Sequence, residues 1–82
     1  IPRFTHFEAF EVQNETIQLN WGIEPAMPYQ HFYFVEHSTD AINFNNIGVL
    51  RSDEAINLDG TEFTFTHGQP HPVNNYYRIA II

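Results

Sequence analysis

The polar run Glu36-His37-Ser38-Thr39-Asp40 has the residue types that could do chemistry. A glutamate, a histidine and an aspartate close together are side chains used in acid–base catalysis and metal binding. On a β-strand, however, consecutive side chains point to opposite faces, so Glu36 and His37 cannot act together on one ligand. Ser38, Thr39 and Asp40 belong to the residue types that bend a chain by hydrogen-bonding to its backbone. We therefore predict a turn between two strands here, with no catalytic site and no metal site.

The histidines offer a second set of possible metal ligands. His31 and His37 fall on one face of a predicted strand, and His67 and His71 flank a Gly-Gln-Pro loop. No HxxxH motif on a helix and no carboxylate at a matching spacing accompanies either pair. We expect the histidines to be solvated residues at strand ends and in loops.

The acidic segment 52–60, SDEAINLDG, contains three carboxylates and an asparagine. It does not follow the EF-hand pattern, which needs alternating oxygen ligands, a central glycine and a distal glutamate. A solvated loop is the favoured interpretation, and a calcium-binding loop stays open as the alternative. Serine catalysis has no support, because there is no GxSxG motif and both serines, Ser38 and Ser52, lie in predicted bends or connectors. No catalytic residue and no cofactor are predicted.

The composition argues against several classes of function. The chain of 82 residues has a net charge of −7, with three widely separated arginines, no lysine and no cysteine. A groove for nucleic acid needs clustered cations, so we expect no binding to nucleic acid or to an anionic membrane surface. Without cysteine there is no disulfide, thiolate metal site or cysteine nucleophile. No apolar run approaches the length of about 18 residues that suggests a membrane-spanning helix, so we expect no membrane insertion.

The elements that must position these residues are β-strands. Apolar and polar residues alternate through most of the chain, most strictly in segment 16–21, where Ile17, Leu19 and Trp21 share one face. Turn signals between many short strands are typical of a β-sandwich. The sequence predicts one domain over residues 1–82, with a possible short edge strand within 52–60. The predicted strands cover residues 4–12, 16–21, 31–37, 44–50, 61–67 and 75–82.

The order of the aromatic residues resembles that of a fibronectin type III module. In that family a tryptophan of the second strand packs between the sheets, and a later strand carries a tyrosine followed by an arginine and a hydrophobic residue. A narrower resemblance, over nearly the whole chain, is to a module near the C-terminus of many proteins secreted by type IX systems. The matching residues are Leu19, Trp21, Tyr33, Val35, Glu36, His37, Ser38, Asp40, Phe44, Ile47, Gly48, Tyr76, Tyr77, Arg78 and Ile79.

The resemblance implies an immunoglobulin-like, fibronectin type III-like sandwich of about six or seven strands. It also implies a domain without enzymatic activity, which spaces or assists its neighbours in a larger secreted or cell-surface bacterial protein. Two departures from the family pattern matter. Ala41 stands where the family has glycine, so the tight turn must form without a residue that adopts positive φ easily. The family also has a further strand after NNYYRI, so we expect the final strand to be absent and that edge to be open.

The most distinctive surface that we expect is apolar. If Tyr33 and Val35 point inward, as the family pattern implies, then Phe32 and Phe34 point outward. The last strand, lying beside them, would add further apolar side chains to the same face, including Ala80. Exposed aromatic residues gathered on one sheet face mark a contact surface, with a neighbouring domain or another protein as partner. The predicted binding residues are Phe32, Phe34, Tyr76 and Ile82.

Two other functions stay open at this stage. Tyr29, Phe32 and Phe34 could stack on sugar rings, which would make the domain a carbohydrate-binding module with a glycan as partner. An open edge along residues 75–82 could instead accept a strand donated by another chain, as in assembly subunits.

Overall fold

Six β-strands form the scaffold in the computed structural model, which describes residues 2–82. All six predicted strands are confirmed, with ends displaced by at most three residues. Segment 52–60 contains a short 3₁₀ turn, Ser52–Glu54, in place of the possible edge strand. A second 3₁₀ turn, Gln13–Glu15, links the first two strands. The strands are β1 (Arg3–Val12), β2 (Thr16–Glu24), β3 (Phe32–Ser38), β4 (Asn45–Arg51), β5 (Glu62–His67) and β6 (Tyr76–Ile81).

The strands form two antiparallel sheets of three strands each, so the fold is all-β as predicted. The first sheet has the order β1-β2-β5 and the second has the order β4-β3-β6. In the described part of the chain, no helix combines the length and the apolar character needed to cross a membrane.

The core lies between the two sheets and is built around aromatic rings. The indole of Trp21 stacks on Phe63 in the first sheet, and Tyr33 of the second sheet contacts both, with ring centroids 5.8 and 4.5 Å away. Fully burying each such ring removes about 150–250 Å² from water, which is why these three dominate the stability of a small domain. The buried hydrophobic residues are Leu19, Trp21, Ile23, Tyr33, Val35, Leu50 and Phe63.

Gly48 of β4 allows the two sheets to approach each other closely. It pairs with Val35, and a Cβ atom added to it would lie 2.6 Å from Cζ of Phe65, a β5 residue. The phenylalanine ring therefore occupies the space that a side chain at position 48 would need. This contact places β5 across β4, while the contact of Phe63 with Tyr33 places it across β3.

Candidate functional site

The polar run of residues 36–40 ends β3 and begins its connection to β4, as predicted. The carboxylate of Asp40 accepts hydrogen bonds from the backbone N–H groups of Ile42 and Asn43, at 2.9 and 2.8 Å. The hydroxyl of Ser38 donates to the same carboxylate oxygen at 2.7 Å. Because these bonds favour the charged form, the two backbone bonds most strongly, the pKa of Asp40 lies well below its usual range. Asp40 is thus engaged in shaping the turn.

Glu36 and His37 lie on opposite faces of β3, as predicted. On the outer face, the carboxylate of Glu36 accepts a hydrogen bond of 2.6 Å from Nε of Arg78. The guanidinium of Arg78 also lies over the ring of Phe44, 4.1 Å from its centroid. On the inner side, Nε2 of His37 is 2.8 Å from Oδ1 of Asn75.

His37 belongs to a small aromatic cluster at one end of the core. Its ring lies 4.7 Å from that of His67, whose Nδ1 is 2.7 Å from the hydroxyl of Tyr77. Burial raises the pKa of Tyr77 to about 12, so its hydroxyl keeps its proton and can donate to His67. Burial and the neighbouring His37 lower the pKa of His67. The cluster has no carboxylate, and residues 2–82 contain no group of three acidic, cysteine or histidine side chains able to hold a metal ion.

His31 is buried, so the expectation that the histidines are solvated is wrong for this residue. Its Nδ1 is 3.0 Å from the carbonyl oxygen of Tyr29, to which it can donate, and its Nε2 is 2.8 Å from the hydroxyl of Tyr33. The carbonyl can only accept, so Nδ1 carries the proton of the neutral ring, and Nε2 then accepts a hydrogen bond from the hydroxyl of Tyr33. Burial raises the pKa of Tyr33 to about 12. Burying the imidazole costs little because both of its nitrogen atoms keep a hydrogen bond.

The carboxylates at the start of the acidic connector are used locally. Nε of Arg51 is 3.1 Å from Asp53, and the backbone N–H of Arg51 donates to Glu54 at 2.7 Å. Further along, the side-chain oxygen of Asn57 accepts two backbone hydrogen bonds, each 3.0 Å long. These contacts fold the connector into a compact loop, and its proposed alternative role in calcium binding stays a prediction.

An apolar surface lies on the outer side of the second sheet, where the sequence places it. Phe34 pairs with Val49 on one side and with Ala80 on the other. Phe32 and Ile82 are bonded directly across from each other by two backbone hydrogen bonds of 3.2 and 2.8 Å. We call this surface the outer apolar face, formed by Phe32, Phe34, Val49, Ala80 and Ile82.

Tyr76 is on the same side of the sheet but at its other end. It pairs with Ser38, and the ion pair between Glu36 and Arg78 lies between it and Phe34. Of the predicted binding residues, Phe32, Phe34 and Ile82 therefore lie together, and Tyr76 lies apart from them. Val49 was missed in the sequence, although its outward position follows from the same alternation that places Leu50 in the core.

The strand β1 carries two inward-facing phenylalanines that are only partly covered. Phe4 pairs with Ile23 and Phe7 pairs with Trp21, and both partners are buried. Phe4 and Phe7 share a face although they are three residues apart, because the register shifts between Phe4 and His6. Strict alternation would have separated them, so the sequence pattern did not reveal this feature. Phe4 and Phe7 are 42% and 43% exposed.

The strand β6 is an edge strand whose second side has no partner in the described chain. The bonded pair of Phe32 and Ile82 sets the phase of the ladder, because such pairs recur at every second residue. The even-numbered residues of β6 therefore direct their backbone groups toward β3. The N–H and C=O groups that point away from β3 belong to Tyr77, Ile79 and Ile81.

A cleft of 480 Å³ lies beside the beginning of β6. Its lining includes Glu11, at the end of β1, and Glu15, in the turn after it. It also includes the loop from Gly68 to Val73 and Asn75, the residue before β6. The cleft thus joins the end of β1 to the start of β6 and carries acidic groups.

Comparisons of the chain with protein-family models, with curated proteins and with solved structures give no match. Its function must therefore be argued from its own residues and surfaces.

Proposed function

We propose that this domain is a non-catalytic interaction and spacer module of a secreted or cell-surface bacterial protein. The observation that carries the proposal is the outer apolar face, where Phe32, Phe34, Val49 and Ile82 lie together on a sheet surface that is otherwise polar or charged nearby. Side chains of this kind lose contact with water when a partner covers them, which is a main source of binding energy in protein interfaces. The partner is a neighbouring domain or another protein.

The strand arrangement supports a fibronectin type III-like assignment. The first, second and fifth strands make one sheet, and the third and sixth belong to the other, as in immunoglobulin-like sandwiches. Trp21 packs between the sheets, where the family resemblance places a tryptophan.

Two local features support the narrower resemblance to the module of type IX-secreted proteins. Ala41, at the position of the family's glycine, has a φ of 64°, which glycine adopts without strain. Gly48, another position of the motif, has no room for a side chain because the ring of Phe65 fills the space. Both motif positions thus favour glycine for a physical reason, and Ala41 adopts the positive φ at a cost in stability.

Site-specific photo-crosslinking tests the proposed contact surface. We would place p-benzoyl-phenylalanine at position 49, in the outer apolar face, in cells that produce the protein. The matched control is position 10, where Phe10 is exposed on the outer side of the other sheet. We expect a defined crosslinked polypeptide or domain from position 49 only, and its loss when Phe32→Ser and Phe34→Ser are combined. The absence of a crosslink at 49, or one that survives the double substitution, would contradict the proposal.

Glycan-array binding by the isolated domain separates this function from the carbohydrate-binding alternative. Tyr29 is strongly exposed beside the start of β3 and is the aromatic residue best placed to stack on a sugar. Under the proposed function we expect no glycan signal. A signal that Tyr29→Ala abolishes would replace the interaction module with a carbohydrate-binding one.

A further inference from the structure

The loop of residues 68–75 is held against the core by a group of histidines at one end of the domain. His37 of β3 and Tyr77 of β6 are cross-strand partners in the second sheet, and His67 of β5 contacts both from the first. The ring centroids of His37 and His67 are 4.7 Å apart, and that of Tyr77 lies 5.1 and 5.6 Å from them. All three side chains are half-buried. These rings therefore form a contact between the two sheets next to the loop.

The loop is attached to this cluster through Asn75. Its side-chain amide closes the loop, because Nδ2 donates to the carbonyl oxygen of His71 at 2.7 Å and Oδ1 accepts the backbone N–H of His71 at 2.8 Å. The same Oδ1 lies 2.8 Å from Nε2 of His37. An amide oxygen only accepts, so the proton of the neutral His37 ring is on Nε2 and Nδ1 is its basic atom. His37 thus donates the bond that anchors the loop.

Two further imidazoles serve as hydrogen-bond acceptors, a role that only an unprotonated nitrogen atom can fill. Nδ1 of His71 lies 3.1 and 3.2 Å from the backbone nitrogens of Val73 and Asn74, whose N–H groups donate to it within the loop. Nδ1 of His67 lies 2.7 Å from the hydroxyl of Tyr77, which can donate to it. A proton added to either Nδ1 atom removes the acceptor and so disrupts these bonds.

No carboxylate of the described chain is paired with these three imidazoles. Both ion pairs that involve a histidine within residues 2–82 are made by His6 of β1. In the first sheet His67 pairs with the apolar Ile17, and Ile17 pairs in turn with Glu11, which is therefore two strands away from His67. The titratable side chains that line the adjoining cleft are Glu11, Glu15 and His71. Both glutamates are exposed, so solvent screens their attraction for a proton on the cluster.

We propose that loop 68–75 is an acid-released strap, held in place at neutral pH by the uncharged imidazoles of His37, His67 and His71. Protonation disrupts the bonds inside the loop and at its anchor. Charging His37 and His67 together also sets two cations, with ring centroids 4.7 Å apart, between the sheets. Release of the strap removes most of the lining of the cleft. The strap includes no residue of the outer apolar face, so this device goes beyond the proposed function.

The closed domain is favoured on the alkaline side of the histidine titration. Burial and the neighbouring His37 lower the pKa of His67 below its usual value of 6.5. The open chain therefore takes up a proton before the closed domain does as the pH falls through 6.5. The stability that the neutral cluster contributes is present above this pH and is lost below it.

Backbone dynamics measured by NMR test the strap. The ¹⁵N heteronuclear NOE reports the fast local motion of each amide, and it is measured at about pH 7.5 and at about pH 5, where histidine is protonated and most carboxylates remain charged. We expect the amides of His71, Val73 and Asn74 to be rigid at the higher pH and to become flexible, reversibly, at the lower one. The amides of Leu19 and Trp21, in the core strand β2, should stay rigid at both.

Substitutions that keep an uncharged hydrogen-bonding group test the assignment to the histidines. Asparagine presents a side-chain oxygen near the position of Nδ1 in histidine, so His71→Asn keeps an acceptor for the loop without taking up a proton. His67→Gln likewise keeps a partner for the hydroxyl of Tyr77. We expect the two substitutions together to leave the loop rigid at about pH 5. The matched control is His6→Gln, which removes a histidine outside the cluster and should leave the acid release as in the wild type.

Three results would overturn the proposal. The first is that the heteronuclear NOE values of His71, Val73 and Asn74 are the same at the two pH values. The second is that the double variant releases its loop in acid as the wild type does. The third is that Leu19 and Trp21 lose their order together with the loop, which would show acid unfolding of the whole domain. If His67→Gln does not fold, His71→Asn alone decides, because His71 is exposed, and release as ready as in the wild type would again count against the strap.

Discussion

Phe7 and Trp21 are direct cross-strand partners on the inner face of the first sheet, yet Trp21 is completely buried and Phe7 is 43% exposed. The two side chains have the same orientation and similar chemistry. Trp21 lies on the central strand of its sheet and packs against Tyr33 of the opposite sheet, whereas Phe7 lies on the edge strand β1. The position of the strand in its sheet thus separates two side chains that face the same way.

The contact between Gly48 and Phe65 predicts a strong effect of a single methyl group. We expect Gly48→Ala to lower the free energy of unfolding by about 1–3 kcal/mol, because the ring must move out of a packed core to make room. Urea denaturation of the isolated domain measures the change. Gly68→Ala is the control, since a Cβ atom there meets nothing within 4 Å. Equal effects of the two substitutions would contradict the packing argument.

The turn after β3 predicts a stabilising substitution. Ala41 adopts a φ of 64°, which is unfavourable for a residue with a Cβ atom and free of strain for glycine. We expect Ala41→Gly to raise the free energy of unfolding by about 0.5–1 kcal/mol, because it removes the backbone strain at this position. The gain is smaller than the strain itself, because glycine has more conformational freedom in the unfolded chain. Ala9→Gly, in the extended strand β1, should lower it by a similar amount. Thermal and urea unfolding compare the two variants, and a loss of stability in Ala41→Gly would show that the turn is not strained.

The carboxylate of Asp40 predicts a loss of stability in acid. Its pKa is lowered in the folded domain by the hydrogen bonds it accepts, so its contribution is present above the usual aspartate pKa of about 3.9. As the pH falls below that value, the unfolded chain takes up the proton first and the folded state becomes less stable. We expect the urea concentration at the unfolding midpoint of the wild type to decrease as the pH is lowered below about 4. In Asp40→Asn this decrease should be less steep. Asp59→Asn, in the exposed connector, should retain the wild-type slope, and identical slopes in Asp40→Asn and the wild type would rule out this role.

The phenols of Tyr33, which is buried, and Tyr77, which is half-buried, predict a loss of stability in alkali. Burial raises the pKa of Tyr33 and of Tyr77 from 10.0 to about 12, so the unfolded chain loses these protons at a lower pH than the folded domain. Stability is therefore fully present below pH 10 and declines as the pH rises toward 12. We expect Tyr33→Phe and Tyr77→Phe each to flatten the decline of the urea midpoint in this range. Tyr29→Phe is the control, because Tyr29 is exposed. An unchanged decline in both core variants would exclude the phenols as its cause.

Local patterning was sufficient for the strands and for most of the core. The alternation of Leu19 and Trp21 with polar residues needs only the two-residue repeat of a strand to place them inward. The turn at Ser38 and Asp40 was predicted for a similar reason, because these side chains hydrogen-bond to backbone only two or three residues away. Interactions of such short range can be predicted from neighbouring residues in the sequence.

Other features depend on partners that are distant in sequence. His31 was expected in solvent, but its burial relies on Tyr33 and on a carbonyl group whose positions are set by the folded loop. Phe4 and Phe7 share a face only because a register shift between them interrupts the alternation. Neither the shift nor the partial exposure of these rings can be predicted from the sequence of β1 alone.

The sequence by itself determined that this chain forms short antiparallel strands with an aromatic core and a polar turn, since strand periodicity and turn chemistry are local. Only the tertiary structure decided which inward side chains are covered and which backbone groups stay unpaired. The partial exposure of Phe7 and the unpaired backbone groups of β6 follow from the order of strands in the two sheets. That order results from packing between segments that are far apart in the chain.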